Sequence, residues 1–133
     1  LEFPDYVGAT DLNGDGRPDL VVGNQHTTDL SVFLNTTTAA SNTASFAARQ
    51  EFQRSNVATT PLSGDYTESL AFPDVNGDAR PDIVAVNFRD TESSVSVLLN
   101  TTPPRPPRRV LPLGRSSPSA IPASTPALWR RVT

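Results

Sequence analysis

Two stretches of this chain place acidic and amide side chains at the same alternating spacing. Residues 11–19 read DLNGDGRPD and residues 74–82 read DVNGDARPD. In the first, the side chains of Asp11, Asn13, Asp15 and Asp19, with the backbone carbonyl of Arg17, make a set of hard oxygen donors. The second offers Asp74, Asn76, Asp78, the Arg80 carbonyl and Asp82. Calcium accepts about six to eight such ligands in irregular geometry and fills its shell with water, whereas magnesium demands a tighter octahedron. Three carboxylates crowded into nine residues repel one another until a dication relieves them, so each loop is expected to order together with its ion. The expected cofactor is Ca2+, one ion per loop.

Two other readings of the spacing compete with this one. An EF-hand shares it at its first positions but needs a glutamate at its twelfth and flanking helices; here the twelfth residues are Val22 and Ala85. Asparagine, glycine and aspartate also dominate hairpin turns that bind nothing. Duplication of the acids together with their flanks favours the metal. The second loop departs from the first by having Ala79 where the first has Gly16. If that position requires a positive φ, alanine costs on the order of 1 kcal/mol relative to glycine, and the second site is the weaker.

The duplication extends well past the acids. Residues 11–24 and 74–87 share nine of 14 identities, and SVFLNTT at 31–37 matches SVLLNTT at 96–102 in six of seven positions. The acidic motifs lie 63 residues apart and the LNTT asparagines 65, so two extra residues fall in the second copy's connecting loop. Residues 20–22 and 83–86 are short β-branched runs bounded by turn residues, which predicts buried strands. Residues 31–34 and 94–99 read as their hairpin partners, residues 6–10 and 69–73 as strands leading into the acidic loops, and residues 45–52 as an outer strand. No segment has helical periodicity, and the unit reads as a meander of about four strands.

Charge divides the chain as sharply as the repeat does. Residues 1–102 hold all 14 acids against five arginines, a net −9, while residues 103–133 hold six arginines, no acid and eight of the 13 prolines. An acidic body argues against nucleic acid as partner. Proline at the tail's density favours extended segments over ladders. The tail is expected to be an extended arm that joins neighbouring copies, with short strand candidates at 109–113 and 127–132 and Trp129 as an anchor. There is no cysteine, which leaves cations or neighbouring subunits as staples for a modest core. No stretch approaches the roughly 20 apolar residues that span a bilayer. The first residues lack the regions of a signal peptide, so a secreted protein is read here in mature form.

The DxNxDGxxD loop running into DLVV and followed by SVFLN resembles the VCBS or FG-GAP-like repeats, which are similar to the calcium loops of integrin α-subunit propellers. The resemblance covers most of residues 6–102 and not the tail. It implies four-stranded propeller-type blades, calcium at both acidic loops and use in extracellular or cell-surface proteins, but no single activity. Closed propellers take about four to eight blades, and two cannot close a ring. The expected fold is therefore all-β: two propeller-blade-like antiparallel β-meanders in an open arrangement over residues 1–102, with an extended arm over 103–133. The chain is expected to be a fragment, an open pair of blades or a subunit completed by neighbours.

Asn35 and Asn100 each begin an NTT sequon at the same point of the repeat and are possible glycosylation sites. The lone histidine, His26, reads as a surface residue with no nucleophile elbow to serve, so the chain is expected not to be an enzyme. Phe46, Phe52 and Phe72 are expected in the core. The expected function is a non-catalytic extracellular calcium-binding structural or adhesive module that self-associates into an open or helical assembly; the alternative is a carbohydrate-binding, lectin-like propeller fragment.

Overall fold

The runs DLVVGNQ and IVAVNF organise the architecture, because each lies inside its own sheet with neighbours on both edges. The computed structural model describes residues 3–25, 27, 29–53, 66–88 and 93–103, and the backbone of 129–131. Strands β1 (Phe3–Thr10), β2 (Asp19–Gln25), β3 (Asp29–Phe33) and β4 (Gln50–Gln53) form one antiparallel sheet in sequence order. Strands β5 (Tyr66–Ala71), β6 (Ile83–Phe88), β7 (Ser93–Asn100) and β8 (Trp129–Arg131) form a second in the same way. The fold is all-β, and the described residues contain no helix, so none is long and apolar enough to cross a membrane.

The repeat is visible in the backbone as well as the sequence. In each sheet the first strand carries a register shift at the same repeat position, Asp5 in β1 and Glu68 in β5. Such bulges bend and twist a strand. Asp5 uses that position to accept the backbone N–H of Thr67 at 2.9 Å, tying β1 to the first strand of the second sheet.

The two sheets pack face to face. Val21, Leu30 and Val32 of the first meet Leu70, Ile83, Ala85 and Leu98 of the second, with Leu12 of the acidic loop in the same cluster and Phe52 and Phe72 half-buried against it. Pairing register places Gly8 opposite Val21 and Gly23 opposite Leu30, so both glycines lie on this contact face. A Cβ at Gly23 would sit 2.4 Å from the Thr67 Cβ, and one at Gly8 would sit 2.6 Å from the Phe72 ring. Their bare backbones set how closely the sheets approach.

Several expectations need amendment. Phe46 is not in the core: it is 38% exposed and its backbone forms an isolated bridge with Asn35. The outer strand of the first sheet is only Gln50–Gln53, because residues 36–45 fold into a hydroxyl-bonded loop, with Thr37 and Ser45 paired through backbone and side chain. The last strand of the tail pairs within the chain: Leu98, Leu99 and Asn100 of β7 face Arg131, Arg130 and Trp129 of β8. The second sheet thus draws its fourth strand from the segment expected to reach a neighbour, since β7 would otherwise present an open edge. The remaining tail, at 104–128 and 132–133, the segment 109–113 within it, and His26 lie outside the described residues.

Candidate metal centre

Each acidic loop joins the first two strands of its sheet and is a nest of backbone donors closed by its own carboxylates. In the first, Asp11 Oδ1 accepts from the backbone N–H of Gly14 at 2.8 Å and of Asp15 at 3.1 Å, and its Oδ2 accepts from Gly16 at 2.7 Å. Asn13 Oδ1 accepts from Asp15 at 3.0 Å, and Asp15 Oδ1 from Arg17 at 2.9 Å. Gly14 and Gly16 take φ of 72° and 84°, the left-handed region that glycine enters without penalty. The second loop repeats the network: Asp74 accepts from Gly77, Asp78 and Ala79, Asn76 from Asp78, and Asp78 from Arg80. Ala79 sits at φ 64°, so the condition attached to the Gly16 position is met.

Asp19 and Asp82 close the loops from below. Both are fully buried. Asp19 accepts from the backbone of Leu12 at 2.9 Å and of Asn35 at 2.7 Å; Asp82 accepts from Val75 at 2.8 Å and Asn100 at 2.7 Å. Burial pushes the Asp19 carboxyl above its ordinary range; the two N–H bonds pull against this, and the charges of Asp15 and Asp11 add to it. At Asp78, desolvation works upward but is outweighed by hydrogen bonds from Asn76 and Arg80 and by the Arg80 charge, so its carboxyl lies below the ordinary range.

The residues expected to ligate are brought together in each loop, but in this arrangement their oxygens face N–H groups rather than a common point. Among the described residues, no three acidic or histidine side chains form a group placed to hold a metal ion. Arg17 Nη2 lies 2.5 Å from Asp15 Oδ2, and Arg80 Nη2 stands at the same distance from Asp78 Oδ2. The donor set itself still suits a hard cation, being oxygen throughout, and a carboxylate oxygen that accepts one N–H retains a lone pair. To take an ion at Asp15, the Arg17 guanidinium has to move aside; the backbone carbonyl expected as a ligand is independent of that side chain.

The LNTT asparagines belong to the same construction. Asn35 donates its Nδ2 to the Pro18 carbonyl and accepts the Thr37 N–H on its side chain. Asn100 does the same with Pro81 and Thr102, and also donates to the Leu12 carbonyl of the other sheet at 2.8 Å. Asn100 is 0% exposed, so its amide nitrogen has no room for a glycan in the folded chain, and Asn35 would have to release Pro18. The signal for this latch was the joint repetition of RPD and LNTT, which the sequon reading obscured.

The family model for the FG-GAP-like repeat matches residues 11–85, more than half of the chain. No curated protein and no solved structure matches it.

Proposed function

This chain belongs to the FG-GAP-like repeat family, and from that premise we propose that it is a non-catalytic, extracellular or cell-surface calcium-binding module with a structural or adhesive role. The observation that carries the reading is the duplicated loop: two copies, 63 residues apart, repeat the same acids, carboxylate-to-backbone bonds and left-handed turns. A ligand set preserved with its local geometry fits a shared task better than two unrelated turns. Asp11, Asn13, Asp15, the Arg17 carbonyl and Asp19 would hold one ion; Asp74, Asn76, Asp78, the Arg80 carbonyl and Asp82 the other. A bound dication would neutralise the charge that Asp11 and Asp15 press on Asp19 and would stabilise the loop by mass action.

Calorimetric titration with calcium and melting with and without chelator test this. Heat of binding and a melting temperature that falls on chelation are expected; no heat and no change in melting would sink the reading. Asp15→Asn removes a charge at nearly constant size and is expected to weaken the first site, and Asp78→Asn the second.

One observation favours the lectin-like alternative. An open cleft of about 660 Å³ adjoins the first loop, lined by Asp15, Arg17 and Asn35 and by hydroxyls of the 36–45 segment. Its lining holds no aromatic ring on which a sugar would stack. Specific binding in a glycan screen, abolished by Arg17→Ala, would move the assignment to that reading.

A further inference from the structure

The hydrogen bonds that close the two acidic loops are not separate networks. In the second sheet the backbone N–H of Asn100 donates to Asp82 Oδ1 at 2.7 Å. The Asn100 side chain is held over the same loop, donating to the Pro81 carbonyl at 3.2 Å and accepting the Thr102 N–H at 3.0 Å. It also donates to the Leu12 carbonyl of the first loop at 2.8 Å. Both hydrogens of the amide are thus engaged, one on each loop. Leu12 stands between Asp11 and Asn13, two of the oxygen donors of the first loop, and its own N–H donates to Asp19 Oδ2 at 2.9 Å. Asp82, Asn100, Leu12 and Asp19 are each no more than 1% exposed, so water cannot stand in for a lost member. Asn35, at the repeat position equivalent to Asn100, donates to Pro18 and accepts from Thr37 in the same way. Among the described residues it makes no bond to the second sheet, so the connection runs through Asn100 alone.

We propose that Asn100 couples the two loops, so that a calcium ion held by one raises the affinity of the other. This coupling rests on the calcium reading above and adds to it a linkage between its two sites. An ion that fixes Asp82 fixes the end of β7 and with it the Asn100 amide. That amide holds Leu12, and through Leu12 the approach of Asp11, Asn13 and Asp19 to one another. The next ion then meets a loop already ordered and has less disorder to overcome. Charge works in the opposite direction, because a dication in one loop weakens the negative field that draws another to its neighbour. Positive coupling therefore marks the relay and not electrostatics. By linkage it is reciprocal, each site tightening the other by the same factor.

Calorimetric titration of the full chain with calcium reads the coupling. Asp78→Asn leaves the first site to be measured alone and Asp15→Asn the second, and neither residue is a member of the relay. The product of the parent's two association constants, divided by the product of the two single-site constants, is the coupling factor. A factor of about five or more is expected, the lower end of the usual range for coupled sites. Asn100→Ala is expected to bring it to one, whereas Asn35→Ala, which removes the same local bonds without a bridge, is expected to leave it unchanged. A second measurement needs no change at Asn100 and so survives a variant that fails to fold. In Asp15→Asn, calcium that fills only the second loop is expected to slow hydrogen exchange at the Leu12 N–H more than at the amides of β2. A parent factor of one or below overturns the coupling and leaves the calcium reading standing. A factor that persists in Asn100→Ala, one that falls equally in Asn35→Ala, or slowing at Leu12 no greater than in β2 overturns the role of Asn100. A parent chain that takes up no calcium overturns both readings.

Discussion

The first and second acidic loops share sequence, turn geometry and hydrogen bonds, yet their surroundings differ at three points. Leu12 is sealed beneath the second sheet, whereas Val75 stands in solvent. Arg17 reaches on from Asp15 to the Asn35 carbonyl with its Nε at 2.9 Å, whereas the Arg80 Nε is buried without a partner and Asp78 is shared with the Asn76 amide. Gly16 occupies a left-handed position that Ala79 occupies under strain. The first difference goes with what packs against each loop, since leucine and valine are both apolar, and the third is intrinsic to the turn. Two copies of one motif are thus distinguished in part by their neighbours.

The strongest way to break the comparison is at the buried carboxylates. Asp82→Ala would strand the N–H groups of Val75 and Asn100, and Asn100 also bridges to Leu12 in the other sheet. Asn100 is fully buried and its stranded donor costs about 1–3 kcal/mol, whereas water can reach the exposed Val75. A loss of roughly 1–3 kcal/mol, plus any weakening of the Asn100 bridge to Leu12, is therefore expected in urea unfolding. Asp19→Ala likewise strands one buried donor, Leu12, and one that water can serve, Asn35. Among the described residues, however, Asn35 makes no bridge to the other unit as Asn100 does, so its loss should be the smaller by that bridge alone. If Asp19→Ala is the more damaging, the neighbour-based account of the asymmetry fails.

Next in size is the sheet contact. Gly23→Ala drives a methyl into Thr67 and is expected to destabilise by about 1–3 kcal/mol, the usual range for overpacking a close contact. Its repeat equivalent is Val86, a half-buried valine on the face of the second sheet turned away from the first. There Val86→Ala should change stability by less, because among the described residues the first sheet packs on the opposite face of the second. Similar effects at the two positions would mean that the glycine is not what sets the spacing.

These cases show why some of the molecule could be read from sequence and some could not. Strands β2 and β6 and the acidic loops were legible because local chemistry decides them: β-branched runs favour strands, and Asp, Asn and Gly at alternating positions favour a carboxylate-closed turn. Gly23 carried no such sign, since its need for a missing side chain arises from Thr67, 44 positions further along. Asn100 was visible only as a sequon, because its partner carbonyl belongs to Leu12, 88 residues away. Phe46 looked like core by type, but the hydroxyl-bonded loop holds it at the surface. The pairing of β8 with β7 joins segments separated by 28 residues, and proline content around it pointed toward a free arm.

The smallest expected effect isolates the difference between Gly16 and Ala79. At φ 64° the Ala79 Cβ crowds its own backbone, a strain on the order of 1 kcal/mol that Gly16 does not carry. Ala79→Gly should relieve it, although glycine's greater freedom in the unfolded chain offsets part of the gain. Gly16→Ala imports the same strain into the first loop. No other atom lies within 4 Å of a Cβ built at Gly16, so the penalty is one of backbone conformation alone. If each loop orders with its ion, the exchange should also transfer calcium affinity: the first site weakens and the second tightens, each by up to about tenfold for 1.4 kcal/mol. Titrating the double variant against the parent reads this directly. An unchanged order of the two sites would show that packing around the loops, and not the residue at this turn, sets their difference.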